Sequence, residues 1–125
     1  MSTNNKKYNF ELDQKEKTFV IEVWGVYQEA DAEAFMEEYN KQVNMINPAN
    51  YRLIVDSVEL KTSKQDMLPM LKQCLKMYKN EGFKEIVMVT PDSHTAKVQL
   101  KRTTEDCGLD CEFSDNIKAG KQKVI

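Results

Sequence analysis

Leu53-Ile54-Val55-Asp56 constrains the fold of this chain more than any other stretch. Three large apolar residues in a row, closed by an acid, fit a strand buried on both faces with polar chemistry at its C-terminal end. Strands of that kind belong to parallel sheets joined by helical crossovers. In open sheets of this type, ligands and partners gather outside the carboxyl ends of the strands. The connection Ser57 to Gln65 is therefore the first place to look for function.

The rest of the chain reads as one alternating pattern, without repeats or a linker. Tyr8, Phe10 and Leu12 alternate with Asn9, Glu11 and Asp13, as in a half-buried strand. After the polar turn Gln14–Lys17, residues 18–27 are rich in β-branched and aromatic side chains. Phe19, Ile21 and Val23 fall on one face, Val20 and Trp24 on the other. These two strands are expected to form an antiparallel hairpin, with Gly25 marking a bend or a close backbone approach. Asp31 is the expected N-cap of a first helix whose apolar face is Phe35, Tyr39, Val43 and Ile46. Asn47-Pro48-Ala49-Asn50 ends that helix, because proline does not continue one. The buried strand follows as Tyr51–Asp56.

The start of the second helix has two readings. Ser63 and Asp66 resemble a capping box, but with Asp66 as N-cap Pro69 falls in the first turn, where its missing N–H costs little. The latter is favoured. Leu68, Leu71, Cys74, Leu75 and Tyr78 then face the core, and Lys72, Lys76 and Lys79 form a solvated stripe. Gly82 stops the helix. Glu85–Thr90 is a further buried strand, and a third helix over 95–107 has Ala96, Val98 and Leu100 as its apolar face. Gly108 ends it, and Leu109, Cys111 and Phe113 alternate as a last strand. The ordered core is expected over about 8–115, with a polar N-terminal segment and a poorly ordered tail from Lys118 to Ile125. The predicted architecture is one α/β domain spanning 1–125, in the order β-β-α-β-α-β-α-β. It is a mixed sheet with an antiparallel N-terminal hairpin and helices packed over it.

Composition removes several function classes. The chain carries 18 basic and 20 acidic residues, a net charge of -2, which argues against a dedicated nucleic-acid binder. No apolar run approaches the roughly 20 residues that span a bilayer. Three cysteines, an odd number, fit reduced thiols rather than a disulfide framework, and imply a cytoplasmic protein. The four glycines are scattered singly, so no phosphate-cradling loop is present. His94 is the only histidine; a catalytic triad would need a nucleophile and an orienting acid around it, and Ser93 and Asp92 are merely its neighbours on a turn. Cys107 and Cys111, with Cys74 and His94, are read as buried thiols and a loop histidine rather than a metal site. No cofactor and no metal are expected. The methionines, among them Met36, Met45, Met67, Met70 and Met77, are read first as core filler and second as an adaptable binding surface. Lys6, Lys7 and Lys15 near the first strand either guard that edge or leave it to pair with another chain, so the oligomeric state stays open.

The order of elements resembles the STAS domain, the module of sporulation anti-sigma-factor antagonists and of sulphate-transporter tails. Gly25-Val26-Tyr27 stands where that family has Gly-x-Leu before its first helix. Leu53-Ile54-Val55-Asp56 is similar to its apolar strand ending in Asp. Leu60, Leu68, Gly82, Ala96, Leu100, Gly108 and Leu109 resemble further family positions, and the likeness spans about 8–115. The antagonists are bacterial proteins that bind partner kinases and sigma regulators, and an Asp-Ser-Ser-Gly segment carries their phosphoserine. Here the same place reads Lys64-Gln65-Asp66-Met67. The acceptor position becomes Asp66, which imitates charge but takes no stable phosphate. The resemblance thus implies a non-enzymatic regulatory or protein-interaction module with a degenerate phosphosite. Ser63 and Thr62 would be the acceptors under a shifted alignment. A lipid-carrier-like branch of the superfamily also lacks the serine, which implies a small-molecule or lipid carrier as the alternative. That branch's Arg and Trp after the second helix are replaced here by Phe83-Lys84-Glu85-Ile86. The candidate partner-contact residues are Asp56, Ser57, Glu59, Lys61, Thr62, Ser63, Asp66 and Met67. Asp56 could instead hold its own loop by accepting backbone N–H bonds, and Asp66 could be a plain helix cap.

Overall fold

The computed structural model describes residues 6–115, so the expected C-terminal tail lies outside the described residues. The elements are β1 (Tyr8–Asp13), β2 (Thr18–Gly25), α1 (Glu29–Val43), β3 (Arg52–Leu60), α2 (Leu68–Glu81), β4 (Glu85–Val89), α3 (His94–Cys107) and β5 (Glu112–Ser114). Short 3₁₀ turns at Pro48–Asn50 and Gln65–Met67 precede β3 and α2. The mixed sheet expected from the sequence is present: β1 and β2 pair antiparallel and every later neighbour is parallel.

Strand order in the sheet repeats chain order, β1-β2-β3-β4-β5. Right-handed crossovers that always step in the same direction place every helix on the same side. Accordingly, one core joins Phe35 and Tyr39 of α1, Leu75 and Tyr78 of α2, and Leu100 of α3 to Phe19, Ile21, Leu53, Val55 and Met88 of the sheet. Its centre is aromatic. Phe35 stacks on Phe10 and Tyr39, with centroids 5.5 and 6.2 Å apart, and meets the edge of Tyr8.

The opposite face has a different character. Pairing aligns Asp13, Thr18, Arg52 and Glu85 in one row across it. Glu11, Val20, Ile54, Val87 and Glu112 form the next, then Asn9, Glu22, Asp56, Val89 and Ser114. An apolar stripe of Ile54, Val87 and Val89, flanked by Val20 and Val58, thus runs through a rim rich in acids. Burial of β3 on both faces is as the apolar run predicts, since Leu53, Ile54 and Val55 are all buried.

Several boundaries differ from the sequence reading. Asp31 is not the N-cap of α1. The helix starts after Gln28, whose extended backbone suits the cap position, and Asp31 sits three residues in with its Oδ2 accepting the Gln28 N–H at 2.8 Å. Asp66 is not the N-cap of α2 either. Lys64 has the extended backbone of a cap and opens the 3₁₀ turn, in which Asp66 is an exposed member; Pro69 still falls in the first turn of the helix. Val98, expected on the inner face of α3, is 42% exposed, while Ala96, Leu100, Thr103 and Thr104 make the buried stripe. The two threonines were hidden from an apolar count because each hydroxyl donates to a carbonyl one turn back, at 2.7 Å. The last strand is only Glu112–Ser114, because Leu109 completes the end of α3 instead. Gly108 takes a left-handed backbone, its N–H bonds to the Glu105 carbonyl, and the Leu109 N–H reaches back to Thr104. This is a Schellman stop, and Leu109 is its buried apolar contact.

Candidate functional site

The site lies where the parallel strands end. β3 continues past Asp56 to Leu60, so half of the segment expected as a loop is strand. A register shift opposite Glu22 and Trp24 lets β3 keep pairing, with Glu59 opposite Trp24 and Leu60 opposite Gly25. Gly25 is left-handed, and Lys7 packs 3.6 Å from where its Cβ would be; the expected bend and close approach are both there.

Beneath the end of the strands is an apolar cavity of about 60 Å³. Val23 and Val55 form its sheet wall, Ala32 and Phe35 of α1 one side, Met67, Met70, Leu71 and Cys74 the other, and Leu100 of α3 closes the back. Its two lips are the connections 26–28 and 61–67. Lys7 braces the first lip: its Nζ donates to the Val26 carbonyl at 2.6 Å and to Asp31 Oδ2 at 2.8 Å. Tyr27 lines the cavity while its hydroxyl donates to the Lys7 carbonyl at 2.6 Å. Partial burial opposes ionisation of Asp31, but the bonds from Lys7 and Gln28 and the Lys7 charge outweigh it and hold its carboxyl below the usual range.

The second lip is fastened by Gln99 of α3. Its side-chain amide accepts the Ser63 N–H at 2.8 Å and donates to the Ser63 carbonyl at 2.9 Å. Lys61 N–H bonds to the Gly25 carbonyl at 3.0 Å and ties the two lips together. This arrangement separates the candidate residues. Lys61 and Asp66 are exposed, Thr62 and Ser63 half-buried, and Met67 turns into the cavity wall. Glu59 is exposed beside Trp24. Ser57 is buried, its Oγ donating to the Val89 carbonyl at 2.7 Å. Asp56 points to the helix-free face and its Oδ1 accepts the Val58 N–H at 3.2 Å, so it holds its own strand.

Gln99, Tyr27 and Lys7 are the residues that sequence reasoning missed. For Gln99 a signal existed: an amide between Ala96, Leu100 and Thr103 on the buried stripe of a helix needs partners of its own. For Lys7 and Tyr27 no local pattern announces a contact made across twenty residues.

Chemically, the cavity offers apolar surface. Burial pushes the Cys74 thiol up to about 12, so it stays protonated and a poor nucleophile. His94 is exposed at the first turn of α3, and Ser93 Oγ is engaged in accepting the Ala96 N–H at 3.3 Å. Among the described residues no three His, Cys, Asp or Glu side chains are grouped to hold a metal ion, and no helix is long and apolar enough to cross a membrane.

No family model matches the chain, and no curated protein matches it. Among solved structures, it is similar to an uncharacterised protein of the DUF3478 family with a SpoIIAA-like fold, from Shewanella loihica PV-4. The TM-score is 0.68 at 12% identity, covering 100% of this chain and 99% of the other. The sequential sheet with its antiparallel first strand and three helices on one side is therefore a SpoIIAA-like fold, the fold of STAS domains and anti-sigma-factor antagonists.

Proposed function

We propose that this chain is a STAS-like protein-interaction module, acting without catalysis, whose partner docks on the connection between β3 and α2. The observation that carries this is the two-bond hold of Gln99 on Ser63, which fixes the segment while leaving Lys61, Lys64, Gln65 and Asp66 exposed. A surface already held in one shape loses less freedom on binding. The resemblance to the antagonists makes a regulatory protein, such as a kinase or a sigma regulator, the class of partner. Asp66 puts a permanent negative charge where the antagonists place a switchable one, so the module is read as constitutive rather than phosphorylation-controlled. The test is affinity capture with the wild type, Asp66→Lys and, on the outer side of α3, Val98→Lys. A discrete protein retained by wild type and Val98→Lys but lost with Asp66→Lys supports the reading. Capture that is equal in all three sinks it.

The cavity favours a second reading, a carrier of small apolar molecules. At about 60 Å³ it is smaller than the roughly 150 Å³ cavity that takes benzene. It would admit the end of an alkyl chain once the unbranched Met67 and Met70 swing aside. Native mass spectrometry of the purified protein decides this: a retained apolar adduct supports it, and a bare chain that takes up no added fatty acid refutes it.

A further inference from the structure

We propose that the cavity takes an uncharged molecule with an oxygen at its leading end, bonded by the Tyr78 hydroxyl, and an apolar body behind it. This rests on the carrier reading of the cavity and names the kind of molecule carried. Tyr78 stands on α2 with its ring edge-on to Tyr39, centroids 5.6 Å apart. Helical side chains lean toward the N-terminus of their own helix. For α2 that end is the mouth of the cavity, where Met67 and Met70 lie, so Tyr78 leans into the cavity it lines. Its hydroxyl makes no hydrogen bond among the described residues, although the side chain is buried. Every fully enclosed side-chain oxygen or nitrogen among them has a partner. The Tyr78 oxygen therefore borders open space, and the space beside it is the cavity. The neighbouring tyrosines differ: Tyr39 donates to Glu81 Oε1 at 3.2 Å, and Tyr27 to the Lys7 carbonyl at 2.6 Å. A buried hydroxyl left without a partner costs the fold, so this one is placed for something that enters.

The lining sets the chemical class. Among the described residues no Lys, Arg, His, Asp or Glu lines the cavity, so an ion would be buried without a counter-charge. Burial, and then the neighbours Cys74, Tyr39 and Tyr27, hold the Tyr78 proton well above the usual phenol range, so its hydroxyl is a neutral donor. Ser57 also lines the cavity, but its proton is committed to the Val89 carbonyl. A buried water needs about three polar partners, and most of this wall is aliphatic and aromatic carbon. An alcohol or ketone meets Tyr78 with one atom and covers the wall with the rest. With about 60 Å³ inside, the oxygen and first carbons fit there, and the remaining chain passes between Met67 and Met70.

Protein isotope-labelled at tyrosine Cζ, a nucleus that responds to hydrogen bonding of its hydroxyl, tests the proposal by NMR. The probes share one chain length, n-pentanol and n-pentane. Pentanol should move the Tyr78 resonance saturably and pentane should not, with Tyr39 as the unmoved control. The methyls of Met67 and Met70 should respond to both probes. Tyr78→Phe keeps the ring, should leave Tm unchanged, and should weaken pentanol about tenfold relative to pentane. If that ratio does not change, or pentanol binds without moving Tyr78, the proposal falls while the carrier reading stands. If neither probe moves a cavity methyl, both fall. A Tm lowered by several degrees in Tyr78→Phe would show that the hydroxyl serves the fold itself and would also overturn the proposal.

Discussion

The two lips of the cavity are built on different principles. The connection at 26–28 is fastened by charge: Lys7 bridges Val26 and Asp31, and Asp31 also holds the Gln28 N–H. The connection at 61–67 is held by neutral groups, the side-chain amide of Gln99 on Ser63 and the backbone bond from Lys61 to Gly25. Hydrogen bonds to charged groups contribute about 1.5–3 kcal/mol and neutral ones about 0.5–1.5 kcal/mol. The α1 lip is thus the fixed jaw. The α2 lip, which carries Met67 and Met70, is the one whose shape a single side chain controls.

The largest effect should come from what both lips share. Phe35 lines the cavity both lips border and stacks on Phe10 and Tyr39, so Phe35→Ala should cost about 3–5 kcal/mol in urea unfolding and loosen both lips together. Loss of one lip only would show that the cavity lining does not couple them. Asp31→Ala comes next, at about 1.5–3 kcal/mol, with faster amide exchange at Gln28 but not at Ser63. Its penalty should depend on pH. The folded carboxyl ionises below its unfolded value of about 4, so its contribution is complete above that pH and fades as pH falls through the folded value. Wild type and variant should therefore converge in stability in strong acid; a gap that persists there would show that Asp31 acts through packing. Gln99→Ala should cost about 0.5–1.5 kcal/mol and speed exchange at Ser63 selectively. Equal acceleration at both lips would erase the distinction between them. The smallest change is Asp66→Lys, an exposed substitution expected within about 0.5 kcal/mol of wild type by thermal unfolding. A larger loss would mean that Asp66 supports the start of α2 rather than a partner surface.

Much of the fold was legible because its signals are local. The run at Leu53–Val55, the alternation of Tyr8, Phe10 and Leu12, and the glycines at 82 and 108 each state their role within a few residues. The helix starts were misread because Asp is equally at home at the cap and in the first turn, and only the backbone decides which. Gln28 and Lys64, the residues that do start the turns, have no capping preference to announce them. The end of β3 was misread because Ser57 looks like a loop residue; its hydroxyl finds the Val89 carbonyl and makes it a strand residue. The site was legible only in location. Its fastenings, Lys7 to Asp31 and Gln99 to Ser63, join residues far apart in the chain, and no periodicity encodes them.

Because strand order repeats chain order, each crossover closes onto the strand laid down just before it. Thr18 meets Arg52, Arg52 meets Glu85, and Val87 meets Glu112. Closure entropy rises by only about 0.6 kcal/mol for each doubling of loop length, so these three closures of similar length differ little in cost. During synthesis, each strand finds its template already waiting when it leaves the ribosome, and the sheet can be assembled in the order in which it is read.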